Sequence, residues 1–282
     1  AVSVTIDLSL QSDGFTIIGT IEADDITGST GNDTITADNG DDIIRGFVGA
    51  DSVDGGDGTD TIILTVTSID LNNASNSDIV DVEEIDASGA AASVTIDLSG
   101  QDDGFRITGS AQADDLTGSS GDDTFVGFEG ADTVDGDDGT DTIELDGTSE
   151  DLNAALNADI VSIEAIDASG AAAGVTIDLS NQDDGFTITG SAQADDITGS
   201  TGADDINAGA GNDTIRGFAG ADVVDGGDDT DTIVLDATSA DFNDAGDDDI
   251  VNVEAIDGSD AGASGIAIDL SAQTEAAGFE IT

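Results

Sequence analysis

Gly55-Gly56-Asp57-Gly58-Thr59-Asp60-Thr61-Ile62-Ile63 reads G-G-x-G-x-D-x-U-x, where U is a large apolar residue. Its columns extend through the preceding rows at a spacing of nine. Gly31, Gly40, Gly49 and Gly58 form one column, Asp24, Asp33, Asp42, Asp51 and Asp60 a second, and Ile26, Ile35, Ile44, Val53 and Ile62 a third. One copy would be a weak signal, but three columns held in register over five rows specify a repeating structural unit. Glycine supplies the positive-φ conformations of a tight turn. The x-U-x tripeptide that follows reads as a short strand with U facing inward.

These nonapeptides resemble the RTX calcium-binding β-roll family. The resemblance implies an all-β fold, a parallel β-roll or β-solenoid in which two nonapeptide rows make one turn. It also implies Ca²⁺ between successive turns on one side, pairing Asp24 with Asp42, Asp33 with Asp51 and Asp42 with Asp60. The residue chemistry agrees. Glycine turns point backbone carbonyls at a small volume, the sixth-position Asp adds a carboxylate, and Ca²⁺ takes six to eight such oxygens. Mg²⁺ fits less well because it keeps its waters.

The row is nested in a longer repeat. Val4-Thr5-Ile6-Asp7-Leu8-Ser9 returns at Val94–Ser99 and Val175–Ser180, and as Ile266-Ala267-Ile268-Asp269-Leu270-Ser271. From Ile6 the spacings are 90, 81 and 91 residues, so the second module has lost one nine-residue row. The expected organisation is three tandem modules with short helical insertions, over 3–92, 93–173 and 174–264, then a partial fourth module at 265–282. Each module opens with an alternating strand, then an Asp-Gly turn and Phe15, Phe105 or Phe186. The Gly-Asp rows follow, and then a segment outside the consensus, where Ser149 reads as the N-cap of a short helix. Leu71, Val80, Leu98 and Ile107 stay in phase with Ile62 modulo nine, so the solenoid is expected to run through that segment. The missing row, half a turn, is expected to rotate the loops of module two to the opposite face relative to module one.

The candidate metal ligands are therefore Asp24, Asp33, Asp42, Asp51 and Asp60, then Asp114, Asp123, Asp132 and Asp141, then Asp195, Asp204, Asp213, Asp222 and Asp231. The turn glycines Gly31, Gly40, Gly49, Gly56, Gly58, Gly121, Gly130, Gly139, Gly202, Gly211, Gly220 and Gly227 accompany them. Pairing Asp one turn apart gives about eight Ca²⁺ or more, with weak sites or salt helping further. Asp38, Asp137 and Asp229 stand where the consensus has glycine, which weakens those individual sites. Other acids, including Asp7, Asp54, Asp97, Glu83 and Glu84, read as solvated faces or weak counter-ion sites. Arg45 and Arg216, equivalent in their modules, read as strand-edge cations neutralising nearby Asp rather than as catalytic bases. Phe47, Phe128 and Phe218 replace the second glycine of equivalent rows. Packing beneath the helical segment is favoured for them over a partner-binding ridge.

Composition bounds the function. With 64 acidic and three basic residues among 282, the formal charge is −61. Such a chain should repel itself, yet its apolar residues are periodic, a conflict that bound cations resolve. The same charge argues against nucleic acid and anionic lipid as partners, and no apolar stretch is long enough for direct membrane insertion. With no His, Cys, Lys or Tyr, general acid–base and nucleophilic chemistry have little to draw on, and no enzyme is expected. Weak calcium sites need extracellular calcium levels, so the expected location is extracellular or at the cell surface, after secretion by a type I-like route. The function expected is a calcium-dependent structural protein, a repeat subunit of a filament, S-layer or matrix fibre. Its partner is itself, joined head to tail through 265–282, with a cell-surface polysaccharide as a further partner. The alternatives are the calcium-stiffened stalk of a large adhesin and the C-terminal domain of a type I-secreted toxin or hydrolase.

Overall fold

Three-residue strands built on triplets such as Thr-Ile-Thr and Asp-Ile-Thr follow one another along the chain, each placing its central apolar residue inside and each separated from the next by a corner. The computed structural model describes residues 2–259, 266–271 and 280–281. The expected parallel β-solenoid is present. β-Branched centres suit a pleated strand, and the eighteen-residue step between stacked strands supplies the long connection that parallel pairing needs. Most of the partial fourth module lies outside the described residues; within them, Glu280–Ile281 pairs in parallel with Ala255–Asp257.

The chain divides into two compact units, residues 1–142 with 159–162, and residues 143–158 with 163–282. In the first, strands alternate between two sides. One side stacks the strands centred on Ile6, Ile26, Ile44, Ile62, Ile85, Ile107 and Phe125. The other carries two shorter sheets, one with Ile17, Ile35, Val53 and Ile79, the next with Ile96, Leu116, Val134 and Ile160. In the second unit, Ile166, Ile188, Ile206, Val224 and Ile250 stack on one side, and Ile177, Ile197, Ile215, Ile233 and Ile256 on the other.

Turn length is uniform only in the Gly-Asp rows. Ile26 pairs with Ile44 and Ile44 with Ile62, eighteen residues apart each time. Ile62 pairs with Ile85, and Val53 with Ile79. These longer steps hold the insertion that carries helix α1 (Ile69–Asn72). Its counterparts are α2 (Glu150–Ala154) and α3 (Ala240–Asp244). The modulo-nine phase is therefore interrupted within the insertion and regained after it, where Ile107, in phase with Ile62, is again a buried strand centre. Leu71 is buried on the helix, and Ile79 rather than Val80 faces inward.

The insertion also alters the expected effect of the missing row. Module one supplies nine strands, an odd number, so the first Gly-Asp row of module two starts on the other side: Ile26 and Leu116 lie on opposite sides. The missing row then restores the phase, and Val53 and Val134 share a side. It is the rows before the deletion, not those after it, that are rotated relative to module one.

The helices explain the row phenylalanines. Ser68 caps α1, accepting the Leu71 N–H and donating its hydroxyl to the Phe47 carbonyl at 2.7 Å. Ser149 and Ser239 accept the equivalent N–H groups at the starts of α2 and α3. Phe47, Phe128 and Phe218 are all buried, which rules out an exposed ridge. The Ser239 hydroxyl donates to the Phe218 carbonyl, and the Phe218 ring meets Phe242 of α3 edge to face at 5.3 Å. Phe47 and Phe218 thus belong to the footing of their own helices. Arg45 and Arg216 pair with Asp25 and Asp196, the neutralising role expected of them.

Candidate metal centre

The Asp column sits at the corners, immediately before each strand, and all fourteen members are buried. Burying a carboxylate is costly unless its oxygens are bonded, and the backbone meets half of that need. In each column, Oδ1 accepts the backbone N–H of the equivalent residue one turn earlier. Asp24 donates to Asp42 at 2.6 Å, and Asp42 to Asp60 at 2.8 Å. Asp33 donates to Asp51, Asp114 to Asp132 and Asp123 to Asp141. Asp195, Asp213 and Asp204 donate to Asp213, Asp231 and Asp222 respectively. The ladder ends on a glutamate: the N–H of Asp60 donates to Glu83, and that of Asp231 to Glu254. Glu83 is therefore part of the ladder and not the solvated acid expected from its sequence. The signal that would have found it is Glu83-Glu84-Ile85, which keeps the carboxylate-x-apolar spacing of Asp60-Thr61-Ile62.

The second carboxylate oxygen divides the rows into three kinds. In rows with a hydroxyl residue second, the N–H of that residue donates to Oδ2: Thr20 to Asp24, Ser29 to Asp33, Ser119 to Asp123 and Ser200 to Asp204, at 2.6–2.7 Å. Asp114 and Asp195 are held likewise by Ser110 and Ser191. In the phenylalanine rows, the N–H of Val48 or Ala219 donates to Asp51 or Asp222. In the third kind, Oδ2 of Asp42, Asp60, Asp213 and Asp231 is buried with no hydrogen-bond partner.

The third kind also has its own backbone. Residues two and four of these rows take positive φ: Asp38 and Gly40, Gly56 and Gly58, Gly209 and Gly211, Gly227 and Asp229. Asp137 and Gly139 of module two do the same. Asp is among the few side chains that tolerate this region, so Asp38, Asp137 and Asp229 preserve the turn in place of glycine. Stacked rows approach closely. The Asp57 N–H donates to the Asp38 carbonyl at 2.9 Å, and the Asp57 carbonyl accepts the Gly40 N–H at 2.8 Å. Asp228 makes the same pair of bonds with Gly209 and Gly211. A methyl on Gly58 would collide with the Gly40 carbonyl oxygen.

Burial is the main cause that lifts these carboxyls. Asp60 and Asp231 are pushed up to about 6, with added repulsion from Asp42 and Glu83 in one case and Asp213 and Glu254 in the other. Asp42 and Asp213 are raised for the same first reason. Asp51 and Asp222 also reach about 6. Among the described residues no three acidic, His or Cys side chains gather into a cluster that could hold a metal by side chains alone. The arrangement suits a cation bound by two carboxylate oxygens together with turn carbonyls. Ca²⁺ accepts such a mixture of charged and neutral oxygens, and the unpartnered Oδ2 atoms supply the negative charge. Ca²⁺ bound there would neutralise two buried like charges.

The family model described as RTX calcium-binding nonapeptide repeat (4 copies) matches residues 18–46, 27–62, 108–143, 187–204 and 198–233. These segments contain Gly-Asp rows of all three modules. No curated protein matches the chain.

Proposed function

This chain carries the RTX calcium-binding nonapeptide repeat in multiple copies, and from that premise we propose that it is a calcium-dependent structural protein of the extracellular space. Its work is to fold on Ca²⁺ and to join copies of itself, head to tail, into a filament, S-layer or matrix fibre, without catalysis. The observation that carries this reading is the stacked pair of buried carboxylates with unpartnered oxygens, Asp42 over Asp60 and Asp213 over Asp231. Such pairs are a liability without a cation and a stabilising contact with one. A calcium requirement of this kind suits a location where free Ca²⁺ is abundant. RTX repeats are typical of secreted proteins, and no described helix is long and apolar enough to cross a membrane.

Self-association draws on modularity: a head-to-tail contact between repeats that does not close on itself generates open fibres. The stalk of a large adhesin draws on the same modularity and is the second reading. Electron microscopy of the purified chain with and without millimolar Ca²⁺ separates them. Filaments that appear with Ca²⁺ and vanish in EDTA support the first reading; a monomer at every Ca²⁺ concentration favours the stalk. Circular dichroism tests the shared premise, since an unchanged β spectrum on adding EDTA would remove calcium from both.

A further inference from the structure

The three kinds of row differ in what holds their carboxylate, and that difference bears on which rows need a cation. We propose that Ca²⁺ is confined to two sites, one between the rows ending at Asp42 and Asp60 and one between those ending at Asp213 and Asp231. The six rows with a hydroxyl residue second take none, because their own backbone already does the cation's work. This rests on the calcium reading above and narrows it from every row to two row pairs.

The rows differ first at Oδ2. In Asp24, Asp33, Asp114, Asp123, Asp195 and Asp204 that oxygen is held by the N–H of Thr20, Ser29, Ser110, Ser119, Ser191 or Ser200, four residues earlier. The hydroxyls of Ser29 and Ser200 also lie 3.0 Å from Oδ1 of their Asp. A cation at Oδ2 would compete with these bonds for an oxygen whose charge they already partly meet. In Asp42, Asp60, Asp213 and Asp231 the residues are no more than 1 % exposed and Oδ2 has no partner, so the atom is held in the corner with its charge uncompensated.

Backbone conformation gives a second, independent division. Positive φ at residues two and four is absent from all six hydroxyl rows and present in all four rows of the proposed sites. Alternating the sign of φ turns successive peptide planes over, which brings carbonyls from alternate residues to one side of the turn. Two extra bridges between stacked turns, Asn39 with Asp57 and Ala210 with Asp228, occur between the same row pairs. Module two lacks the row that would pair with the one ending at Asp141. One turn earlier stands Asp123, already held by Ser119. The missing nonapeptide thus removes a site as well as half a turn.

The test is the number of Ca²⁺ bound by the intact chain, measured by equilibrium dialysis with elemental analysis. About 0.5 M KCl should be present so that the screening length is short and diffuse binding to the acidic surface is suppressed. Two Ca²⁺ per chain are expected, falling to one in Asp60→Asn and one in Asp231→Asn. Asp33→Asn and Asp204→Asn should still bind two. Ser29→Ala and Ser200→Ala should lower Tm without changing the count. A count above two, or loss of a cation on changing Asp33 or Asp204, overturns the confinement and leaves the calcium reading standing. No bound Ca²⁺ at millimolar concentration overturns both. The intact chain's count decides the matter even if a variant fails to fold.

Discussion

The two oxygens of Asp60 differ: its Oδ1 accepts the Asp42 N–H, while its Oδ2 lies buried without a partner. Burial raises its carboxyl to about 6, as it does that of Asp231. A carboxyl raised in the fold favours the protonated form there, so without a cation its contribution to stability is fully present below about pH 4 and is lost as pH rises through about 6. Chain held in EDTA should accordingly show more β-structure by circular dichroism at pH 4.5 than at pH 7.5. Ca²⁺ requires the ionised form, so it should release protons on binding and bind more weakly as pH falls below about 6, which calorimetry in buffers of different ionisation heat would register. Gly58 is the second residue whose identity is dictated by geometry. It has φ +148° and a stacked carbonyl where a side chain would begin. Gly58→Ala should cost more than about 1 kcal/mol, read as a lower denaturation midpoint in saturating Ca²⁺.

The helical insertions tie the end of a module to its phenylalanine row. Ser68 links the first turn of α1 to the Phe47 carbonyl, so one hydroxyl serves both the cap and the row beneath it. Ser68→Ala should lose about 1–2 kcal/mol in urea unfolding, at the upper end for an N-cap, because a carbonyl also loses its donor. In α3 an aromatic contact reinforces the comparable link. Phe242→Leu removes the edge-to-face contact with Phe218 and should cost about 1 kcal/mol by the same measurement. Neither change touches a proposed calcium site, so the Ca²⁺ count should hold in both.

For the whole chain, the formal charge of −61 opposes compaction over distances set by the screening length. Two calcium ions remove little of it, so ionic strength must matter alongside specific binding. At low salt with EDTA the chain should be largely unfolded. Adding about 1 M KCl, which shortens the Debye length to about 3 Å, should restore a substantial part of the β signal. Rows whose carboxylates are held by backbone N–H groups are then expected to recover before those ending at Asp42, Asp60, Asp213 and Asp231, as amide exchange along the chain would reveal. Uniform recovery of every row would contradict the division of labour among them.

The nine-residue spacing of Gly, Asp and Ile was enough to determine the strand centres and their inward-facing apolar residues, while the eighteen-residue turn was implied by the resemblance to the RTX family. Strand centres and their facing depend on local periodicity, which a sequence displays directly. The Ser149 cap and the burial of Phe47, Phe128 and Phe218 were legible from the same repeats, read row against row. Two things were decided only in three dimensions. The insertion around α1 interrupts the arithmetic phase, because the length of an excursion does not reveal how many residues return to the wall, and so Ile79 rather than Val80 faces inward. The column of Asp residues, uniform in sequence, separates into different chemical environments because the partners of Oδ1 come from the neighbouring turn and those of Oδ2 from the shape of the loop. Whether a buried carboxylate is already satisfied or still calls for a cation depends on those few backbone N–H groups, and only the folded chain places them.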